Sequence, residues 1–310
     1  MQDRSARPAG PRGLTVIIKK HWILYLMALP VMLYYVVFRY APMFGIVIAF
    51  QEYRVTLGFW NSQWVGLKHF VSFFTSSYAW ATIRNTLSIS FYGLVFGFPA
   101  PILLALLLNE VGALRFKKAV QTVTYIPHFI SLVVVCGLVR EFLSTQGLCN
   151  AIIAALGGSG IQFLNEPGWF YPVYVASGIW QHTGWDSIIY MAALSAIDQE
   201  LYAAAMVDGA GRFGRMWHVT LPGIAPTITI LLILSVGHIM SVGFEKIILL
   251  YSPLVYETAD VISTYVYRRG LIEGKYSFAA AVDLMNSVVN FVLLITADRV
   301  SKRLGQRGLF

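Results

Sequence analysis

Charge is what this sequence has least of: 12% of its 310 residues are Asp, Glu, Lys or Arg. Soluble globular domains carry about a quarter, so a pair of such domains is excluded despite the suitable length. Cysteine is almost missing. Cys136 lies in an apolar stretch and Cys149 in a loop, which excludes a disulfide framework and leaves two unpaired thiols. There is no Gly-x-x-x-x-Gly-Lys-[Ser/Thr] run, hence no P-loop to cradle ATP phosphates. The six histidines show no metal-ligand spacing, and no nucleophile–base set stands out. Chemistry on a substrate is therefore not expected, nor a cofactor or metal bound by this chain. A repeat of about 20–50 residues is also absent, which excludes a solenoid.

Hydrophobic residues are abundant, at 57% of the chain. They fall in six blocks, at 21–40, 82–108, 119–143, 170–197, 223–246 and 277–297. Each block is near the roughly 20 residues that cross a bilayer as a helix. An all-α, polytopic membrane protein with six transmembrane helices is predicted, flanked by an arm at 1–20 and a tail at 298–310. The apolar run after His21 continues well past a signal-peptide core and has no convincing cleavage site, so it reads as a retained first span. Pro30, Pro99, Pro101, Pro127, Pro172 and Pro226 interrupt several spans. Proline is tolerated in lipid where neighbours satisfy the freed carbonyls.

Orientation follows from the basic residues. The arm, 109–118, 198–222 and the tail hold 14 of the 23 Lys/Arg but 6 of the 15 Asp/Glu. The remainder of the chain is balanced, so the whole formal excess of +8 sits on one side. The positive-inside rule makes that side cytoplasmic and places both termini there. A one-sided excess between spans is a membrane signature, and no nucleic-acid partner is expected. The outer segments 41–81, 144–169 and 247–276 are rich in aromatics such as Trp60, Trp64, Trp80 and Trp169, for which anchoring at the lipid interface is sufficient explanation.

The inner loop from Asp198 to Pro222 is far longer than the 2–8 or so residues that would join two helices. Glu200 to Met206 contains mostly strong helix formers. Asp208-Gly209-Ala210-Gly211 breaks that helix, because glycine accepts left-handed backbone angles. A second helix is expected at Arg212–Thr220, with Pro222 ending it and starting the next span. Two short helices about a glycine bend make a compact knob. The spacing Ala203-Ala204-Ala205, then Gly209, then Val219-Thr220-Leu221-Pro222 resembles the EAA motif of bacterial ABC importer permeases. In that family the knob is a coupling helix seated in a separate ATPase. The resemblance implies this role for Ala204, Ala205, Asp208, Gly209, Leu221 and Pro222, with Gly211 as part of the bend. Ala203 stands where the motif has glutamate, which leaves Glu200 or Asp208, or the partner permease, to supply the acidic contact.

Other segments are similar to the oligosaccharide and polysaccharide branch of these permeases, the MalF-like and LplB-like proteins. They include 40–53 (Tyr-Ala-Pro-Met-Phe-Gly through Gln-Glu-Tyr), Asn85-Thr86-Leu87, Ile126-Pro127 with Ile130-Ser131, and Gly178-Ile179-Trp180. The likeness implies the ABC importer permease fold in a bacterial inner membrane. It also implies a second homologous permease, two ATPase subunits that bind ATP and Mg, and a periplasmic or lipid-tethered solute-binding protein.

Uncompensated charges inside a bilayer cost about 2.5–3.5 kcal/mol each on insertion scales, so each needs a reason. The fourth span holds the densest polar cluster: Trp180, Gln181, His182, Thr183, Trp185 and Asp186. His182 with Asp186, and Gln181 with Trp185, are i, i+4 pairs. An indole beside amide and carboxylate groups suits a sugar pathway; inter-helix hydrogen bonding is the plainer alternative. Asp283, Asn286 and Asn290 share one face of the sixth span, and Asn85 opens the second. Basic residues near the outer face, Arg54, Lys68, Lys246, Arg268, Arg269 and Lys275, would suit an acidic oligosaccharide such as an alginate fragment, although acids match them in number. Rival readings are an ion-coupled secondary transporter of a small polar solute using Asp186, Glu245 and Asp283, a membrane enzyme assembling polysaccharide, and an ABC permease for amino acids or phosphate.

Overall fold

The computed structural model describes residues 21–303 together with Gly305 and Gly308. The basic arm 1–20 and most of the tail beyond 303 lie outside the described residues. Apolar runs fold here as helices, the arrangement that satisfies a segment's backbone from within when no water is at hand. Four helices are long and apolar enough to cross a membrane. They are α1 (Trp22–Phe50), α3 (Ser77–Glu110), α9 (Arg212–Gly237) and α12 (Tyr276–Arg303). Leu114–Phe129 (α4) and Leu132–Phe142 (α5) qualify together, bent by 102°. Phe170–Ser195 (α7) has 26 residues and packs closely along α3, with the polar cluster lowering its hydropathy. The remaining labelled helices are short: α2 (Lys68–Phe74), α6 (Leu148–Ala155), α8 (Gln199–Val207), α10 (Phe244–Leu250) and α11 (Ile262–Tyr267). A two-stranded hairpin pairs β1 (Gln51–Glu52) with β2 (Gln63–Trp64), Gln51 facing Trp64 and Glu52 facing Gln63.

The spans depart from their expected outlines in four places. The first continues to Phe50 instead of ending at 40. The third breaks where Pro127 forces a tight turn at Ile126–Phe129; Ser131 then restarts the helix, its hydroxyl accepting from the Val134 N–H. The fifth stops at Gly237 and resumes only at Phe244. Finally, Pro222 does not end a helix, because α9 runs through it without interruption. The means is a wide turn at Met216–Thr220, closed by the Leu221 N–H on the Met216 carbonyl. The same device, at Val36–Tyr40 and Gly93–Gly97, precedes Pro42 and Pro99. A proline ring collides with the carbonyl four residues back and offers it no N–H. In all three places that carbonyl belongs to a widened turn, the single-turn bulge that interrupts some α-helices.

Three buried clusters hold the bundle. One gathers Ile89, Cys136, Phe170, Ile247 and Val261; a second gathers Phe73, Ala79, Met240, Tyr265 and Val282; the third gathers Ala105, Tyr190, Leu194, Ile197 and Ile224. Close helix approach depends on glycine at two points. A Cβ on Gly184 would stand 2.0 Å from the Thr124 carbonyl oxygen of α4, and one on Gly237 would stand 2.5 Å from Leu294 of α12. Cys136 is buried and both cysteines are free. From Trp22 to Phe44 no residue of α1 is buried against the rest of the chain.

Candidate functional site

The loop 198–222 folds as the expected first helix and glycine bend, but its second arm is the start of the long α9 instead of a separate short helix. The Asp198 carboxylate caps α8 by accepting from the Glu200 N–H at 2.9 Å, the arrangement that N-terminal helix donors require. Gly209 closes the helix at φ +78°, with the Ala210 N–H returning to the Ala205 carbonyl at 2.9 Å. That backbone region strains any residue with a Cβ. Tyr202 and Thr220 hydroxyls meet at 3.1 Å and tie the two arms together. Tyr202, Met216, Val219 and Leu221 point inward onto the cluster of Tyr190, Leu194 and Ile197. The opposite surface is apolar and open: Val207 is 88% exposed, Phe213 82% and Trp217 66%. Glu200, Ala204, Asp208, Gly209, Gly211 and Pro222 are exposed as well, while Ala205 and Leu221 are half-buried. An open apolar face on a rigid, inward-anchored knob is the arrangement of an interaction surface.

The polar cluster of α7 divides between two faces. Gln181 is buried with Ser177, Gly184 and Ser187, and its Oε1 meets no partner among the described residues. Trp185 and Asp186 face a cavity of about 980 Å³ between α3, α7 and α9, also lined by Ser90, Ser235 and His238. The expected Gln181–Trp185 pair is therefore not formed. Trp180 is five residues before Trp185 and so about 140° round the helix from it. His182 and Asp186 close no ion pair among the described residues; His182 Nδ1 lies 3.4 Å from His128 Nδ1 instead. His128 stacks on Trp185 with ring centres 4.5 Å apart and planes 4° from parallel. Nothing in the sequence ties His128 to the fourth span. The proline beside it signalled the break that swings it onto α7, but not its destination.

Of the remaining pathway candidates, the three asparagines bond to the protein itself. Asn85 is fully buried, donating to the carbonyls of Glu257 (2.9 Å) and Asp260 (3.0 Å) and accepting from the Tyr171 hydroxyl at 3.0 Å. Its hydrogen-bonding capacity is committed, so its placement is that of a clamp rather than a pathway group. Asp260, buried, holds Arg268 at 2.5 Å and Thr264 at 2.8 Å. Asn290 accepts from the Met240 N–H at 3.0 Å and donates to the Ser241 hydroxyl, while Asn286 donates to the Met240 carbonyl at 3.2 Å. Both asparagines thus satisfy the break after α9. Asp283 is exposed on α12, one position beyond the buried Val282. Lys246 is buried near the polar cluster, with Nζ donating to the Tyr174 carbonyl at 2.8 Å and lying 4.6 Å from the centre of that ring.

Comparison with known proteins agrees with this geometry. Residues 97–306 match the model of the family described as binding-protein-dependent transport system inner membrane component. Protein LplB of Bacillus subtilis is 45% identical over 294 residues, covering 94% of this chain and 92% of its own. The polygalacturonan/rhamnogalacturonan transport system permease protein YteP of the same organism is 46% identical over 288 residues, covering 93% and 90%. A chain of a bacterial alginate ABC transporter, solved with an alginate pentasaccharide-bound periplasmic protein, superposes with a TM-score of 0.89 at 46% identity. That match covers 96% of this chain and all of the other.

Proposed function

The chain belongs to the family of binding-protein-dependent transport system inner membrane components, and from that premise we propose that it is the membrane-spanning permease of an ATP-driven importer of acidic oligosaccharides. One observation carries the reading. The knob at 198–222 has its inner side locked onto the bundle and presents Val207, Phe213 and Trp217 outward. Such a part transmits force between the bundle and a neighbour. A neighbour is needed, since the sequence has no P-loop of its own. Two ATPase subunits holding ATP and Mg beneath the membrane fill that role. Glu200 and Asp208, both exposed, supply the acidic contact that Ala203 cannot.

A second permease covers α1, whose apolar residues Trp22 to Phe44 make no buried contact within this chain. The two permeases enclose one pathway across a bacterial inner membrane, with six spans in each and both termini of this chain inside. A periplasmic or lipid-tethered binding protein delivers the saccharide from outside. ATP closes the ATPases and the knob tilts α9, switching the cavity from one side to the other. ATP can bias that switch only by binding one conformation better than the other. Trp185, stacked on His128, and Asp186 form the cavity wall a passing sugar would meet.

The acidic class of substrate is supported by two relatives, one named for polygalacturonan and rhamnogalacturonan transport and one solved as an importer of the acidic polysaccharide alginate. The test is uptake of labelled uronate oligosaccharides into proteoliposomes holding the whole transporter, with its binding protein outside and ATP inside. Uptake that requires ATP and survives a proton uncoupler agrees with the proposal; uptake abolished by the uncoupler would point to an ion-coupled carrier. Trp185→Ala and Asp186→Ala should each lower uptake several-fold with assembly intact. Normal uptake by both variants would remove α7 from the pathway.

A further inference from the structure

A second cavity, of about 360 Å³, opens at the far end of the molecule from the knob. Gly237 of α9 packs level with Leu294 of α12, and these helices run in opposite directions. At 1.5 Å per residue, Tyr276 and Leu221 are thus separated by roughly 50 Å along the bundle. The cleft lies between two regions about 200 residues apart in sequence: Glu52, Tyr53, Lys68, His69, Ser72 and Ser76 on one side, and Tyr265, Arg269 and Lys275 to Phe278 on the other. A hydrogen bond from the Tyr53 N–H to the Ser277 hydroxyl at 2.8 Å joins the two walls.

Three observations describe what the cleft is prepared to hold. First, its ionised groups do not cancel. Lys68 pairs with Glu52 at 2.8 Å, while Arg269 (2.6 Å) and Lys275 (2.8 Å) share the single carboxylate of Glu273. One cation is in excess. Second, a donor has been left over. Ser76 stands at the position before Ser77–Tyr92 where a serine ordinarily caps the helix, yet its side chain makes no capping bond. Its Oγ is shielded from solvent and has no partner among the described residues. Third, the walls are aromatic and polar together, with Tyr53, Tyr265, Tyr276 and Phe278 beside the lysines and serines. Tyrosine is suited to such places because its ring packs while its hydroxyl bonds.

We infer that this cleft is an outer binding subsite for one acidic sugar residue, its carboxylate placed between Lys275, Arg269 and Lys68 and its ring against the tyrosines. One carboxylate balances the excess cation, and the Ser76 hydroxyl gains the acceptor it lacks. A concave site of this volume fits a small ligand better than the flat patch of a docking protein. Both glutamates are already ionised in this setting: Lys275 and Arg269 hold the Glu273 carboxyl below the usual range, and Lys68 does so for Glu52. They keep the cations in place without offering protons to the ligand.

The inference rests on the acidic-saccharide reading above, and the experiment separates the two. Equilibrium binding of tri-galacturonate, and of a neutral trisaccharide, is measured on the complete transporter in nanodiscs without binding protein. Tri-galacturonate should bind more tightly than the neutral sugar. Ser76→Ala and Lys275→Gln should each weaken it by about tenfold, the effect of one charge-assisted hydrogen bond, with Lys275→Arg restoring most of it. Size-exclusion profiles matching the wild type show that the variants assemble. Unchanged binding in Ser76→Ala and Lys275→Gln overturns the subsite while wild-type uptake of uronate still supports the transport reading. Loss of binding-protein docking in those variants, with free tri-galacturonate bound as before, likewise overturns it and assigns the cleft to the protein partner. Wild-type transporter that takes up no uronate defeats the transport reading, whatever the cleft binds.

Discussion

At its N-terminal end α9 offers Phe213 and Trp217 to the surroundings, whereas at its C-terminal end the freed N–H and C=O of Met240 each meet an asparagine of α12. The first end is unfinished within this chain and the second is complete. Both interrupt regular helix, yet only the first exposes apolar area that another subunit would cover. In this protein, then, one irregularity is closed by polar groups of the bundle, and the other leaves apolar side chains open.

Four substitutions would break or sharpen that contrast. Gly209→Glu should have the largest effect on transport. A Cβ at φ +78° brings about 1–2 kcal/mol of strain, and 1.4 kcal/mol is already about tenfold in an equilibrium. ATP-driven uptake should fall by about that factor while the protein still inserts and ATP hydrolysis continues. Unimpaired uptake would count heavily against the knob as a coupling part. Gly184→Val comes next, because its side chain must enter the space of the Thr124 carbonyl. Overpacking of this kind costs about 1–3 kcal/mol, read as a drop in the melting temperature of the purified complex. Asn290→Leu should be milder. It strips the Met240 N–H of its acceptor, and inter-helix hydrogen bonds in membrane proteins average about 0.6 kcal/mol. A melting temperature that equals the wild type's would mean that the break is held by other means.

The smallest effect belongs to Lys68→Met on the outer hairpin. Lys68 lowers the Glu52 carboxyl below the ordinary carboxylate value. A depressed pKa contributes stability that is complete above the unfolded value, about 4.3, and disappears as pH falls through the folded one. The pair is exposed, so about 0.2–1 kcal/mol is at stake. Wild type and Lys68→Met should differ slightly in melting temperature at pH 7 and converge as acid protonates the Glu52 carboxylate. A difference that grows with acidity would reverse the assignment.

Much of this was legible in the sequence where the cause is local. The strong helix formers from Glu200 to Met206, and Gly209 after them, announce a helix and its stop that the backbone follows. The polar crowd in α7 was visible as composition. What could not be read is set by residues far apart. Asn85 was a pathway candidate on chemistry alone; its partners Tyr171, Glu257 and Asp260 lie 86 to 175 positions away. Asn286 and Asn290 looked like one polar face, and became supports only because α9 stops at Gly237. The stacking of His128 on Trp185 likewise depends on a 102° bend that Pro127 permits but does not aim.

The widened turn at Met216–Thr220 accommodates one residue more than an ordinary helical turn would. Since each residue advances a helix by about 100°, that surplus sets the compass bearing at which Phe213 and Trp217 leave the axis of α9. The direction of the lever is thus fixed by arithmetic along the chain, and a relative with the same knob but no proline at 222 would have to aim it by other means.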